Sequence, residues 1–176
     1  MSANTEERIE ALEVALNNEK NEGEFYRRHA ERTDDPLGKK MFQTLADDEA
    51  EHYERILELH KKLSDEGKWP DTLPLKAKDT VVKDVLNSVI EGVNVSAQAT
   101  TDDLEAVKIA IEFEAKGEAF YKGLRQSVED PQEKNFYGLL ESIEREHRLS
   151  LEETYEYFKD PEGWFQKMEK PHLDGA

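Results

Sequence analysis

The sequence predicts an all-α protein: one four-helix bundle built from two related hairpins, with a long crossover between the second and third helices. Three observations lead there. Apolar residues make up 36% of the 176 residues and charged ones 37%, so the core must come from narrow apolar stripes, which long amphipathic helices supply. The 9 glycines and 6 prolines lie mostly between the periodic segments, whereas a β-rich chain would spread them through many turns. Finally, residues 5–67 repeat in residues 100–159 at a constant offset of 95 without a gap. The matches include Glu10/Glu105, Ala11/Ala106, Ala15/Ala110, Phe25-Tyr26/Phe120-Tyr121, Asp35-Pro36/Asp130-Pro131 and Leu45/Leu140. Such a repeat marks two copies of one supersecondary unit.

The first helix is expected from Thr5, a capping residue followed by Glu6 and Glu7, which suit the positive end of the helix. Ile9, Leu12, Leu16, Glu19, Tyr26 and Ala30 then share one stripe at helical spacing. Asp34-Asp35-Pro36 ends it, because a residue before proline disfavours the α region and proline suits the next helix start. The second helix runs to about Gly67, with Met41, Leu45, Glu49, His52, Ile56 and Leu63 facing inward. Pro70 and Pro74 break the helical pattern after it. Val81 to Val95 reads as a crossover helix.

The third helix is expected from a Thr101-Asp102-Asp103 cap and carries Leu104, Val107, Ile111, Glu114 and Tyr121. Asp130-Pro131 makes the second tight turn, and the fourth helix follows to about Phe158. Residues 1–160 thus form one domain, and residues 161–176 form a tail whose Trp164, Phe165 and Met168 read as packing an end of it.

Composition excludes several functions. The net charge of −17 repels nucleic acid and anionic membranes. The absence of cysteine excludes disulfides, thiolate catalysis, cysteine-ligated zinc and iron–sulfur or rubredoxin-type modules. The N-terminus has neither the basic nor the apolar region of a signal peptide, and no apolar run approaches a membrane span. A cytoplasmic location is therefore expected.

The best-preserved part of the repeat is polar. Glu49-Ala50-Glu51-His52 recurs as Glu144-Arg145-Glu146-His147, and Glu19 recurs as Glu114. Glu19 and Glu49 each lie 15 residues from position 34, and Glu114 and Glu144 each lie 15 from position 129. In an antiparallel hairpin these distances set the pairs level, roughly 22 Å from the turn at about 1.5 Å per residue. A lone Glu-x-x-His usually marks a solvated helix face. Two copies in register, each level with a glutamate on a neighbouring helix, point instead to a buried site. Burying these carboxylates is costly without compensating cations. Four glutamates balance two divalent ions, and carboxylates with one imidazole per metal suit iron or manganese better than structural zinc.

This ligand pattern is that of ferritin-like dimetal carboxylate bundles. Glu19-Lys-Asn-Glu-Gly-Glu-Phe-Tyr26, Asp48-Glu-Ala-Glu-His-Tyr53, Glu114-Ala-Lys-Gly-Glu-Ala-Phe-Tyr121 and Ile143-Glu-Arg-Glu-His-Arg148 resemble the rubrerythrin branch of that superfamily. The resemblance implies that Glu49 and Glu144 bridge two iron ions, Glu19 and Glu114 are terminal ligands, and His52 and His147 serve one metal each. Two departures stand out. No cysteine is present for a rubredoxin-like domain, and Gly117 replaces an additional helix-borne glutamate, whose counterpart in the first half is Glu22. Glu22 reads equally as a surface residue or as a further ligand. Tyr26 and Tyr121 read equally as core aromatics or, by the resemblance, as hydroxyl donors to ligand carboxylates. Glu51, Glu146, His29, His60 and His172 read as surface residues.

The implied activity is reduction of hydrogen peroxide by a diiron centre, with electrons from an external rubredoxin-type donor. The alternatives are a ferroxidase that uses dioxygen for iron sequestration or delivery, and a manganese centre that disproportionates peroxide. The assembly is left open, with a homodimer as one candidate.

Overall fold

A computed structural model describes residues 4–70 and 99–168. They form α1 (Thr5–Arg32), α2 (Pro36–Glu66), α3 (Thr101–Ser127), α4 (Pro131–Lys159) and the short α5 (Pro161–Met168), with no strand among the described residues. The expected crossover helix at 81–95 and His172 lie outside them, as do the side chains of Phe165 and Met168.

Each long helix begins at a side-chain cap. The caps of α1 and α3 are Asn4 and Thr100, one residue before the positions expected from sequence. The reason is local. Each accepts from the N–H three residues on, and the acid there, Glu7 or Asp103, accepts from the cap's own N–H. Asp35 and Asp130 cap α2 and α4, with proline in the first turn, where no donor is needed. Gly67, at φ 64°, closes α2 in the left-handed conformation that favours glycine.

The helices pack as two antiparallel hairpins, α1 with α2 and α3 with α4, and α1 also touches α3. Two apolar clusters result. One, around the α1–α2 turn, joins Phe25, Leu37, Met41 and Phe42 to Val107, Leu151 and Phe158. The other, around the α3–α4 turn, joins Leu12, Ile56, Leu59 and Leu63 to Val128, Phe136 and Leu140. The hairpin turns therefore lie at opposite ends of the bundle, and a polar layer falls between the clusters. Trp164 of α5 meets Tyr157 edge-on, with centroids 5.7 Å apart, and so closes the first cluster. Each fully buried Leu or Ile contributes about 1.5–3 kcal/mol. The two clusters are what can offset a charged layer between them.

Candidate metal centre

The polar layer holds all six residues expected from the repeat. Glu19 and the α2 pair Glu49 and His52 come from the first hairpin, and Glu114 with Glu144 and His147 from the second. None is more than 4% exposed, although four are carboxylates. Their donor atoms form two groups, Glu19, Glu49, His52 and Glu144 in one and Glu49, Glu114, Glu144 and His147 in the other. Within each group, one donor atom per residue lies within 4.8 Å of the others. Glu49 and Glu144 belong to both groups. The His52 and His147 rings stack across the layer, with centroids 5.9 Å apart.

Contacts within the cluster place Nδ1 of each imidazole toward the carboxylates. His52 Nδ1 lies 3.1 Å from Glu19 Oε2 and from Glu49 Oε2. His147 Nδ1 lies 3.3 Å from Glu49 Oε1 and 3.4 Å from Glu114 Oε2. Five buried atoms of the cluster make no well-directed hydrogen bond: both oxygens of Glu144, and Glu49 Oε1, Glu114 Oε2 and His147 Nδ1, which meet only at these longer ion-pair distances. Unpartnered buried polar atoms are costly and rare. Here they are carboxylate oxygens and an imidazole nitrogen converging from α2, α3 and α4, which is the donor chemistry of divalent iron or manganese.

The electrostatics point the same way. Burial, and then the charge of Glu49, push the Glu19 carboxyl up to about 8. Burial and the charges of Glu114, Glu49 and Glu19 push Glu144 well above the usual carboxylate range. Glu49 is held below that range, because His52 and His147 outweigh its burial. Burial acts downward on His52, but Glu49 and Glu19 raise it to about 10, and Glu114, Asp48 and Glu49 likewise raise His147. Protons and metal cations compete for these same atoms, so cation binding releases protons and strengthens as pH rises.

Tyr26 and Tyr121 resolve into hydroxyl donors, each crossing to the other hairpin. Tyr26 Oη donates to Glu114 Oε1, and Tyr121 Oη donates to Glu19 Oε1. Burial, together with those carboxylates, pushes both phenols well above their usual pKa, so they remain donors.

Glu22 is half-buried and belongs to neither four-residue group. Burial and the charges of Glu49, Glu114 and Glu19 push its carboxyl up to about 10. Its repeat mate, Gly117, leaves room for a ligand: a Cβ there would lie 2.8 Å from Glu144 Oε2.

One neighbour escaped the sequence reading. Asp48 Oδ2 lies 3.1 Å from His147 Nε2, so a carboxylate from the first hairpin orients an imidazole of the second. Its repeat mate is the apolar Ile143, so the repeat carries no signal for it. Of the residues read as surface, Glu146 is exposed, and Glu51 is partly exposed beside Arg55. His60 pairs with Glu13 at 3.2 Å, and His29 is half-buried against Phe25 and Phe42.

A helical bundle that sets one glutamate and one Glu-x-x-His from each hairpin at a common level defines the ferritin-like dimetal carboxylate class. The comparison with known families narrows the class: the model of the family Rubrerythrin matches residues 10–155. The chain belongs to the rubrerythrin family, which consists of non-haem diiron proteins, and the match spans all six cluster residues. No curated protein and no solved structure shows a significant similarity to the chain. No helix among the described residues is long and apolar enough to cross a membrane.

Proposed function

We propose that the chain is a diiron oxidoreductase that reduces hydrogen peroxide with electrons from a separate donor protein. The observation that carries this reading is the pair of buried four-residue groups sharing Glu49 and Glu144, with unpartnered oxygens aimed into the layer. Glu49 and Glu144 would bridge, Glu19 with His52 would hold one ion, and Glu114 with His147 would hold the other. Two ferrous ions bound there would supply the two electrons that reduction of peroxide to water consumes, one from each ion.

The chain's own residues would do the rest. Tyr121 and Tyr26 fix the orientations of Glu19 and Glu114, and Asp48 fixes His147, so the donor atoms are arranged before binding. The apolar clusters above and below limit water at the layer. The Glu22 carboxyl, raised to about 10, holds a proton beside it.

The direct test is stopped-flow mixing of the anaerobically iron-loaded protein with peroxide and, separately, with dioxygen. Faster oxidation by peroxide is expected. Oxidation by dioxygen at an equal or greater rate would replace this reading with ferroxidase chemistry. A native content of manganese, found by metal analysis of protein purified without oxygen, would replace iron.

Glu22 offers a second prediction. Two bound cations would draw off its proton, and the Glu22 carboxylate would then take the ligand charge to −5 against +4 for two ferrous ions, a surplus that favours the oxidised pair. Glu22→Gln is expected to raise the reduction potential by on the order of 60 mV per electron, equivalent to a tenfold shift in a one-electron equilibrium. Oxidation by peroxide should slow while both metals stay bound. Redox titration followed optically measures the shift, and an unchanged potential would leave Glu22 without influence on the centre.

A further inference from the structure

The two halves of the repeat supply the same ligands but differ in what covers them. On the first hairpin, a groove of about 480 Å³ runs between α1 and α2, and Glu19 and Glu49 are among the residues lining it. Its other walls include Gly23, Ala50, Tyr53 and Leu57. Gly23 matters most, because an ideal Cβ there would already touch the Glu49 Cβ at 3.4 Å. A larger side chain at this position would have to project over that ligand.

The repeat mates of these four wall residues are Glu118, Arg145, Arg148 and Glu152. On the second hairpin they form a continuous ion-pair lattice. Glu118 accepts from Arg145 Nε at 2.8 Å and from Arg148 Nε at 3.0 Å, and Arg148 Nη1 donates to Glu152 at 2.7 Å. Glycine, alanine, tyrosine and leucine thus leave a groove where glutamate, arginine, arginine and glutamate bar the equivalent face. Among the ligands, Glu19 keeps 2% of its surface exposed and its repeat mate Glu114 keeps 0%, while Glu49 and Glu144 keep 0% and 1%.

We infer that small uncharged molecules reach the metal layer through the α1–α2 groove above Gly23, and that the α3–α4 face is closed to them. Apart from the ligands Glu19 and Glu49 themselves, the charges on the groove wall cancel, with Lys20 and Arg27 set against Glu24 and Glu54. A balanced rim offers no net attraction to a cation or an anion, which suits an uncharged oxidant such as hydrogen peroxide. This inference rests on the reading of the six residues as a metal site.

The test uses the full chain loaded anaerobically with ferrous iron and nitric oxide as an uncharged probe, with binding followed by absorbance in a stopped-flow instrument. Gly23→Leu is expected to slow nitric oxide binding about tenfold or more by raising the barrier to access, with two irons per chain retained. Ala50→Phe fills the groove from its exposed lip and should act in the same direction if Gly23→Leu disturbs folding. Replacing the lattice by its first-half counterparts (Glu118→Gly, Arg145→Ala and Arg148→Tyr together) in the Gly23→Leu background should restore the rate. Equal rates in the parent, Gly23→Leu and Ala50→Phe proteins, with metals bound in each, would overturn the groove as the route. Failure of the parent chain to bind iron would overturn the metal site itself, and the route with it.

Discussion

Replacing Glu49 and Glu144 together by alanine is expected to abolish binding of the metal pair while the helices remain folded. These are the two residues common to both donor groups, so their loss removes two carboxylates from each group at once. What remains is one glutamate and one imidazole on each side, Glu19 with His52 and Glu114 with His147. Removing a supporting partner of a ligand already costs about 10–100-fold in metal affinity, so losing two shared ligands should cost well over about 100-fold. Neither residue belongs to the apolar clusters, and far-UV circular dichroism should show the helical content unchanged. The measurement is the iron content per chain after anaerobic loading and desalting. Two tightly held irons in the double variant would show that the metals sit elsewhere. Single replacement of His52 or His147 should weaken one ion preferentially, because each imidazole belongs to one group only.

Without an added reductant, the iron-loaded protein is expected to consume about one equivalent of peroxide per chain and then stop, because two ferrous ions supply only two electrons. The sequence contains no cysteine from which a thiolate-held second redox centre could be built. Further electrons must therefore come from another molecule. Adding a rubredoxin-type protein with its reductase should turn the single event into continuous turnover. The peroxide consumed, followed with and without the donor, decides the matter. Sustained consumption by the protein alone would remove the peroxidase reading, since only disproportionation cycles without an outside reductant. That result would favour a manganese centre.

Much of this architecture is legible in the chain itself, because it depends on intervals that helices convert directly into distance. The 15-residue spacings from each turn set Glu19 level with Glu49 and Glu114 level with Glu144, whatever surrounds them. The i, i+3 spacing of Glu49 and His52, and of Glu144 and His147, puts each pair on one face. Met41, Leu45, Ile56 and Leu63, expected on the inner face of α2, are all buried there. The caps slipped by one residue, to Asn4 and Thr100, because reciprocal hydrogen bonding chose among neighbouring polar residues that periodicity cannot rank.

The sequence by itself determined the four long helices, their two turns and the common level of the three polar residues in each hairpin, since each follows from local periodicity and proline placement within a single hairpin. Tertiary structure alone decided the contacts between hairpins. Tyr26 could have met a partner on its own hairpin, yet its hydroxyl reaches Glu114, and Tyr121 returns the contact to Glu19. Asp48 found His147 although its repeat mate is an isoleucine. Gly117 reads from sequence as a missing carboxylate, but in the fold it is the space that Glu144 occupies. A repeat records spacing along each helix and is silent about which face one hairpin presents to the other. That choice belongs to the packing of the two apolar clusters, and it sets which side chains meet in the layer between them.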